Sequence, residues 1–193
     1  YWMHNGFVNI DNVKMSKSLG NFITVHDALK TIDGQVLRFF FATQHYRKPI
    51  NFTEKAVRDA ETNLKYLKNT YEQPFTGEVD PADLQGFVDK FIVAMDEDIN
   101  AANGITVVFE LAKWINSGHY NQDVKDALTK MLEVFGVVFV EEVLDADIEA
   151  LIAERQEARA KKDFARADAI RDELAAQGIK LLDTKEGVRW TRD

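Results

Sequence analysis

The sequence predicts a mainly α protein: an N-terminal hairpin with a lysine-rich loop, an antiparallel helical bundle, and a small terminal α+β module. Three observations carry that expectation. Apolar residues recur at spacings of three and four through the middle of the chain, the period of a helix with one buried face. Short β-prone runs flank Asp11-Asn12, and a second pair, 179–182 and 188–191, closes the chain. Pro74, Gly77 and Pro81 mark a break between an early helical segment and the bundle.

In chain order, Phe7-Val8-Asn9-Ile10 and Val13-Lys14-Met15 read as a tight hairpin, because Asp and Asn at its tip tolerate positive φ. Thr24-Val25-His26-Asp27 reads as a capping box, with Thr24 accepting from first-turn amides and Asp27 near the positive helix end. The helix it opens runs to about Ile32. Asp33-Gly34 breaks it, residues 36–41 continue as a buried helix, and Pro49 ends that unit. Thr53-Glu54-Lys55-Ala56 opens a longer helix with Val57, Ala60, Leu64 and Leu67 on its inner face. The next inner face holds Leu84, Phe87, Val88, Phe91, Ile92, Met95 and Ile99. Two further stripes follow, Ile105 to Ile115 and Val124 to Phe135. Residues 145–161 form a helix with Ile148, Leu151, Ile152 and Ala158 apolar, and a partner helix turns Phe164, Ala167, Ile170 and Leu174 inward. Gly178 stops that partner. The expected segments are therefore 1–23, 24–75, 76–143 and 144–193.

The 193 residues suffice for one large domain or two small ones with a real core. Hydrophobic content of 46% beside 29% charged residues excludes a disordered chain. No apolar run approaches the roughly 20 residues that span a bilayer, and nothing resembles a signal peptide. A cytoplasmic, membrane-free monomer is expected. Absence of cysteine excludes disulfides and thiolate metal sites within the chain. His4, His26, His45 and His119 lack metal-ligand spacing. The chain opens on Tyr1-Trp2-Met3-His4 with no methionine at position 1, and reads as a piece cut from a longer protein.

The net charge of −8 is unevenly spread: residues 1–71 carry +4, residues 72–150 carry −13, and residues 151–193 carry +1. Such asymmetry fits two ends that meet an anionic partner and an acidic middle that faces water; it fits equally an acidic solubilising face. The sharpest signal is Lys14-Met15-Ser16-Lys17-Ser18, followed by Leu19-Gly20-Asn21. Ammonium groups are compact charges on flexible stems, suited to phosphates that move during a reaction. The hydroxyls and turn amides add neutral donors.

This pentapeptide is the signature loop of class I aminoacyl-tRNA synthetases, and the chain around it resembles the C-terminal part of the cysteinyl-tRNA synthetases. The likeness runs through Tyr1-Trp2-Met3-His4-Asn5-Gly6-Phe7, the lysine loop to Phe22, and Val36-Leu37-Arg38-Phe39-Phe40. It continues in His45-Tyr46-Arg47-Lys48-Pro49-Ile50-Asn51-Phe52, in Ala167-Asp168-Ala169-Ile170-Arg171, and from Gly178 to Trp190. The resemblance implies ATP-dependent activation of cysteine, with Mg²⁺, and transfer to tRNA(Cys). It implies that residues 14–18 bind ATP, with Lys17 on the triphosphate and Lys14 second. The family's adenosine motif and cysteine-selecting Zn²⁺ site belong to an upstream domain, so the expected metal set here is none, and the chain alone is expected to be inactive.

The same resemblance makes the tail a module that reads the anticodon, with Arg159, Asp168, Arg171, Asp183 and Trp190 as candidates. Unpaired bases are read by hydrogen bonds to their edges and by stacking on aromatic or guanidinium planes. Asp168 and Arg171 stand at i and i+3, which serves base reading and an ordinary ion pair beside a core tryptophan equally well. Two other readings stay open: a relative that ligates cysteine to an amino-sugar, and a non-catalytic RNA-binding helical module with a vestigial loop.

Overall fold

The computed structural model describes residues 2–139, 146–184 and 187–192. Among them lie eight α-helices and five strands, arranged in two compact units, 1–139 and 140–193. The mainly α class is observed, with a small three-stranded sheet in the first unit and a hairpin in the second.

Strands β1 (Val8–Ile10) and β2 (Val13–Lys14) form the expected hairpin, with Asp11 at φ 48° and Asn12 at φ 66°. Two consecutive left-handed residues give a turn whose twist matches the paired strands. Helix α1 (Val25–Ala28) and helix α2 (Gly34–Ala42) follow, then strand β3 (Ile50–Phe52). β3 was not expected. It pairs parallel to β1, Val8 opposite Ile50 and Ile10 opposite Phe52, and gives the order β2-β1-β3. Three residues behind Pro49 are too short to show a two-residue period, and their partner is remote in sequence. α2 covers the expected 36–41 and ends at Ala42, where Thr43 Oγ1 donates to the Phe39 carbonyl at 2.8 Å.

The long helices are α3 (Glu54–Tyr71), α4 (Pro81–Asp96), α5 (Ala101–Asn116) and α6 (Gln122–Val134). Each starts where a short polar side chain accepts from first-turn amides: Thr53, Asp80, Asn100 and Asn121 in turn. Their inner faces meet α2 in one core around Phe39, Leu67, Val108, Leu111, Leu128 and Leu132. The stripes on α5 and α6 are buried as expected. The stripe on α4 is narrower. Phe91 and Ala94 are buried, but Ile92 is half exposed, and Ile99 lies beyond the helix end at φ 51°. The three- and four-residue spacing continued past the point where the backbone leaves the helix at Glu97.

The second unit comprises α7 (Ala146–Ala160), α8 (Phe164–Ala176), β4 (Ile179–Thr184) and β5 (Gly187–Arg192). Its core is Ile148, Ile170, Leu174 and Ile179, with Leu151, Ile152, Leu181 and Trp190 packed on it. Gly178, at φ 78°, ends α8 as expected. Phe164 is a correction: it is 62% exposed, because Asp163 caps the helix directly before it and the first turn lies beyond the core.

The two cores give separable stability predictions. Leu111→Ala should lower the stability of the first unit by about 2–5 kcal/mol, measured by urea unfolding. Ile170→Ala should loosen α7, α8 and the terminal hairpin by a similar amount while amide exchange in α5 stays unchanged.

Candidate functional site

The lysine loop is built on the hairpin. Met15 N–H donates to the Val8 carbonyl at 3.1 Å, which carries the ladder into the loop. A single 3₁₀ turn, Lys17–Leu19, then ends at Gly20 with φ 70°, whose N–H donates to the Lys17 carbonyl at 3.2 Å. Asn21 closes the loop from below. Its Oδ1 accepts from Ser16 N–H at 2.9 Å, and its Nδ2 donates to the Lys14 carbonyl at 3.3 Å. The Ser16 and Ser18 hydroxyls stand 2.7 Å apart. One amide side chain therefore fixes the start of the loop while residues 17–20 stay exposed. The sequence showed Asn21 after the motif; its two-sided hydrogen bonding across the loop was not legible there.

Both lysines lie near aromatic rings. Lys14 Nζ is 4.1 Å from the centroid of Phe7, and Lys17 Nζ is 5.5 Å from that of Phe22. Among the described residues neither ammonium has a carboxylate partner. An exposed cation–π contact contributes about 0.5–1 kcal/mol, too little to hold an ammonium against an incoming polyphosphate. The arrangement can therefore deliver two mobile cations and two hydroxyls to an anion.

The base of the loop is anchored at the other end of the hairpin. Asn12 N–H donates to Asn51 Oδ1 at 2.8 Å, and Asn51 Nδ2 donates to Asn12 Oδ1 at 2.9 Å. The turn is thereby tied to β3. Directly after the loop, Thr24 Oγ1 accepts from Asp27 N–H at 3.0 Å, the expected cap of α1. Lys30 Nζ donates to Asp27 Oδ1 at 2.7 Å, and Thr24 Oγ1 donates to Asp27 Oδ2 at 2.6 Å. Lys30 first, then Thr24, hold the Asp27 carboxyl below its ordinary 3.8.

In the second unit the candidates are only partly gathered. Arg171 Nη2 lies 3.3 Å from Asp168 Oδ1, an exposed i,i+3 pair on α8. Arg159 is exposed near the end of α7. Trp190 is half-buried against the Ile148–Ile170 cluster, opposite Leu181 in the β4–β5 register. The Asp183 side chain lies outside the described residues. Two arginines escaped the sequence reading. Arg166 holds Glu154 through Nε and Nη2, both at 2.8 Å, and so ties α8 to α7. Arg155 is 4% exposed; its place on the stripe of Ile148, Leu151 and Ile152 was the signal that could have shown it.

No group of three or more His, Asp or Glu among the described residues is arranged to hold a metal ion, and the sequence has no cysteine, so these residues do not fit a zinc site. No helix among them is long and apolar enough to cross a membrane.

Comparison with known families agrees with this layout. Residues 1–62 match the model of the class I (C) tRNA synthetase catalytic domain, residues 90–141 the DALR domain, and residues 141–190 the cysteinyl-tRNA ligase anticodon binding domain. The fold and these matches define a class I aminoacyl-tRNA synthetase chain. All 193 residues align at 83% identity with the cysteine–tRNA ligase of Streptococcus pneumoniae serotype 4, at 80% with that of Streptococcus mutans serotype c, and at 75% with that of Streptococcus thermophilus. The chain belongs to the cysteinyl-tRNA synthetase family, and it spans 43% of the length of these relatives.

Two predictions follow from the loop's surroundings. Asn21→Ala should speed amide exchange at Ser16 roughly fivefold, as expected for loss of about 1 kcal/mol, and leave α5 exchange unchanged. For Asp27, the folded value lies below the unfolded one, so its contribution to α1 is fully present above 3.8 and fades as pH falls through the depressed value. An NMR pH titration of α1 amides should show that loss, and Asp27→Asn should abolish its pH dependence.

Proposed function

We propose that this chain supplies the ATP-phosphate loop and the tRNA-binding region of a cysteine–tRNA ligase. That enzyme activates cysteine with ATP and Mg²⁺ and transfers it to tRNA(Cys). The observation that carries the reading is the loop at residues 14–18: two ammonium groups with no carboxylate partner among the described residues, on a hairpin held at both ends. The family to which the chain belongs supports it.

In this reading Lys17 meets the triphosphate, and Lys14, Ser16 and Ser18 complete the phosphate donors. Negative charge grows on the pyrophosphate as it leaves, and a cation that moves in at that moment stabilises the transition state more than the bound ground state. The exposed turn 17–20 closes, while Asn21 and the hairpin keep residues 14–16 in register. Met15 contributes its backbone to the ladder. Residues 1–23 act as the edge of the catalytic domain, 24–75 as a connecting segment that reaches the tRNA stem, 76–143 as the helical anticodon-binding bundle, and 144–193 as the anticodon-reading module. The adenosine-binding groups and the Zn²⁺ that selects cysteine come from outside this chain. Chemistry that needs groups from both sides gives an isolated chain no activity. The ligase acts as a monomer in the cytoplasm.

Asp168 and Arg171 carry the base-reading part. Their exposed pair can open, so that the guanidinium fork faces an acceptor edge and the carboxylate an amino group. Arg159 and Asp183 belong to the same unit, and Trp190 packs β5 on its core.

Two experiments test the reading. In a chimera where this chain replaces the matching segment of the Streptococcus pneumoniae ligase, Lys17→Ala should lower the rate of ATP–pyrophosphate exchange by about 10²–10³-fold; an unchanged rate would remove the loop from the mechanism. The same chimera should bind transcribed tRNA(Cys) more tightly than an anticodon-swapped version across a salt series, and Arg171→Ala should cost about 1–3 kcal/mol with the native anticodon. Binding that ignores the anticodon and responds to salt alone would leave Asp168, Arg171 and Trp190 as structural residues.

A further inference from the structure

The turn between α4 and α5 is strained, and beyond its own backbone bonds one carboxylate ties it to a distant segment. Asp98 and Ile99 both take left-handed backbone, at φ 59° and 51°, with no glycine to relieve it. Successive residues of this kind persist only where surroundings over-determine them. Packing does not do so here. Ile99 is half exposed, and a cavity of about 240 Å³ lies beside it, lined by Met3, Phe41, Tyr46 and Ile50.

What holds the turn is polar. Asp98 Oδ1 accepts from Tyr46 Oη at 2.7 Å and from Arg47 Nη2 at 2.9 Å, while Arg47 Nε donates to Tyr46 Oη at 2.9 Å. His45 Nε2 stands 3.8 Å from Asp98 Oδ2, and its ring stacks on that of Tyr46 at 5.3 Å. Three consecutive side chains therefore converge on one carboxylate.

One of the three, Tyr46, and the strand that follows them hold the root of the hairpin. The Tyr46 carbonyl accepts from Gly6 N–H at 2.7 Å, and the Phe7 carbonyl from Ile50 N–H at 2.8 Å. Gly6 is pressed so close to this segment that a Cβ there would collide with the Lys48 carbonyl. From Gly6 the chain runs through β1 and β2 directly into Lys14.

We propose that Asp98 is a positioning residue for the lysine loop: through Tyr46 and Arg47 it seats the hairpin on the helical bundle, so the geometry of the α4–α5 turn sets where Lys14 and Lys17 are delivered. The catalytic consequence rests on the function proposed above; the seating itself does not.

Asp98→Asn keeps the size of the side chain but loses the charge, and Asp98→Gly relaxes the left-handed backbone while deleting the carboxylate. Hydrogen exchange on the 193-residue chain should show the Gly6, Met15 and Ile50 amides exchanging about tenfold faster in both variants, with Val108 and Leu111 unchanged. Unchanged exchange at the three hairpin amides, or equal acceleration in α5, would overturn the proposal. In the chimeric ligase the variants should reduce kcat for ATP–pyrophosphate exchange several-fold with KM for cysteine unaltered. A loosened hairpin with undiminished kcat would also overturn it. If the unsubstituted chimera shows no exchange activity at all, the proposed function fails while the amide measurement still decides the seating.

Discussion

A hairpin with strands of three and two residues does not stand alone in water. The interaction that makes this one rigid is the parallel pairing of β1 with β3, locked at the tip by the reciprocal Asn12–Asn51 hydrogen bonds. β3 leads without a break into the Thr53 cap and the longest helix of the first unit, whose inner face is core. Rigidity thus passes from the buried leucines of α3, through one short strand, to a loop that is itself exposed. Without β3 the lysine loop would hang from two strands with nothing behind them.

That chain of support explains how the loop divides its labour. Residues 14–16 are tied by backbone and by Asn21, whereas the exposed turn 17–20 is closed by local 3₁₀ bonds and the Ser16–Ser18 hydroxyl contact. The phosphate-binding role proposed for the loop needs both properties. Its base must return to one position, and its cations must move as charge redistributes. The aromatic contacts at Phe7 and Phe22 serve the second need because they are weak. A carboxylate in either place would compete with the anion proposed for the loop.

Much of this was legible in the sequence. The tip Asp11-Asn12, the Thr24 cap, the stripes of α5 and α6 and the Gly178 stop each follow from a local rule, and each is found where the rule puts it. The failures share a different cause. β3 depends on a partner distant in the chain, Ile92 and Ile99 depend on where α4 ends and what faces it, and the exposure of Phe164 depends on a core too small to reach the first turn of α8. Periodicity tells which residues share a face, not how far the facing element extends. For the site, the motif suggested a chemistry, while the hydrogen bonds of Asn21, Asn51 and Asp98 are contacts that no short pattern encodes.

The charge distribution gains meaning from these contacts. The middle of the chain carries −13, and two of its exposed acidic groups have visible structural work: Asp98 receives Tyr46 and Arg47, and Asp80 caps α4. By contrast Lys14 and Lys17 in the basic first part keep their charge uncommitted among the described residues, and the Arg171 charge is shared only with an exposed neighbour three residues away. An exposed pair of that kind is worth little on its own, so exchanging it for contact with a base edge costs little. Net charge alone would have argued against an RNA partner; what matters for recognition is which cations are already spent on the fold. Arg166 on α8 is spent in this way on Glu154, whereas among the described residues Lys14 and Lys17 have no carboxylate partner and Arg171 has only its exposed neighbour, which is the condition a polyanionic ligand requires.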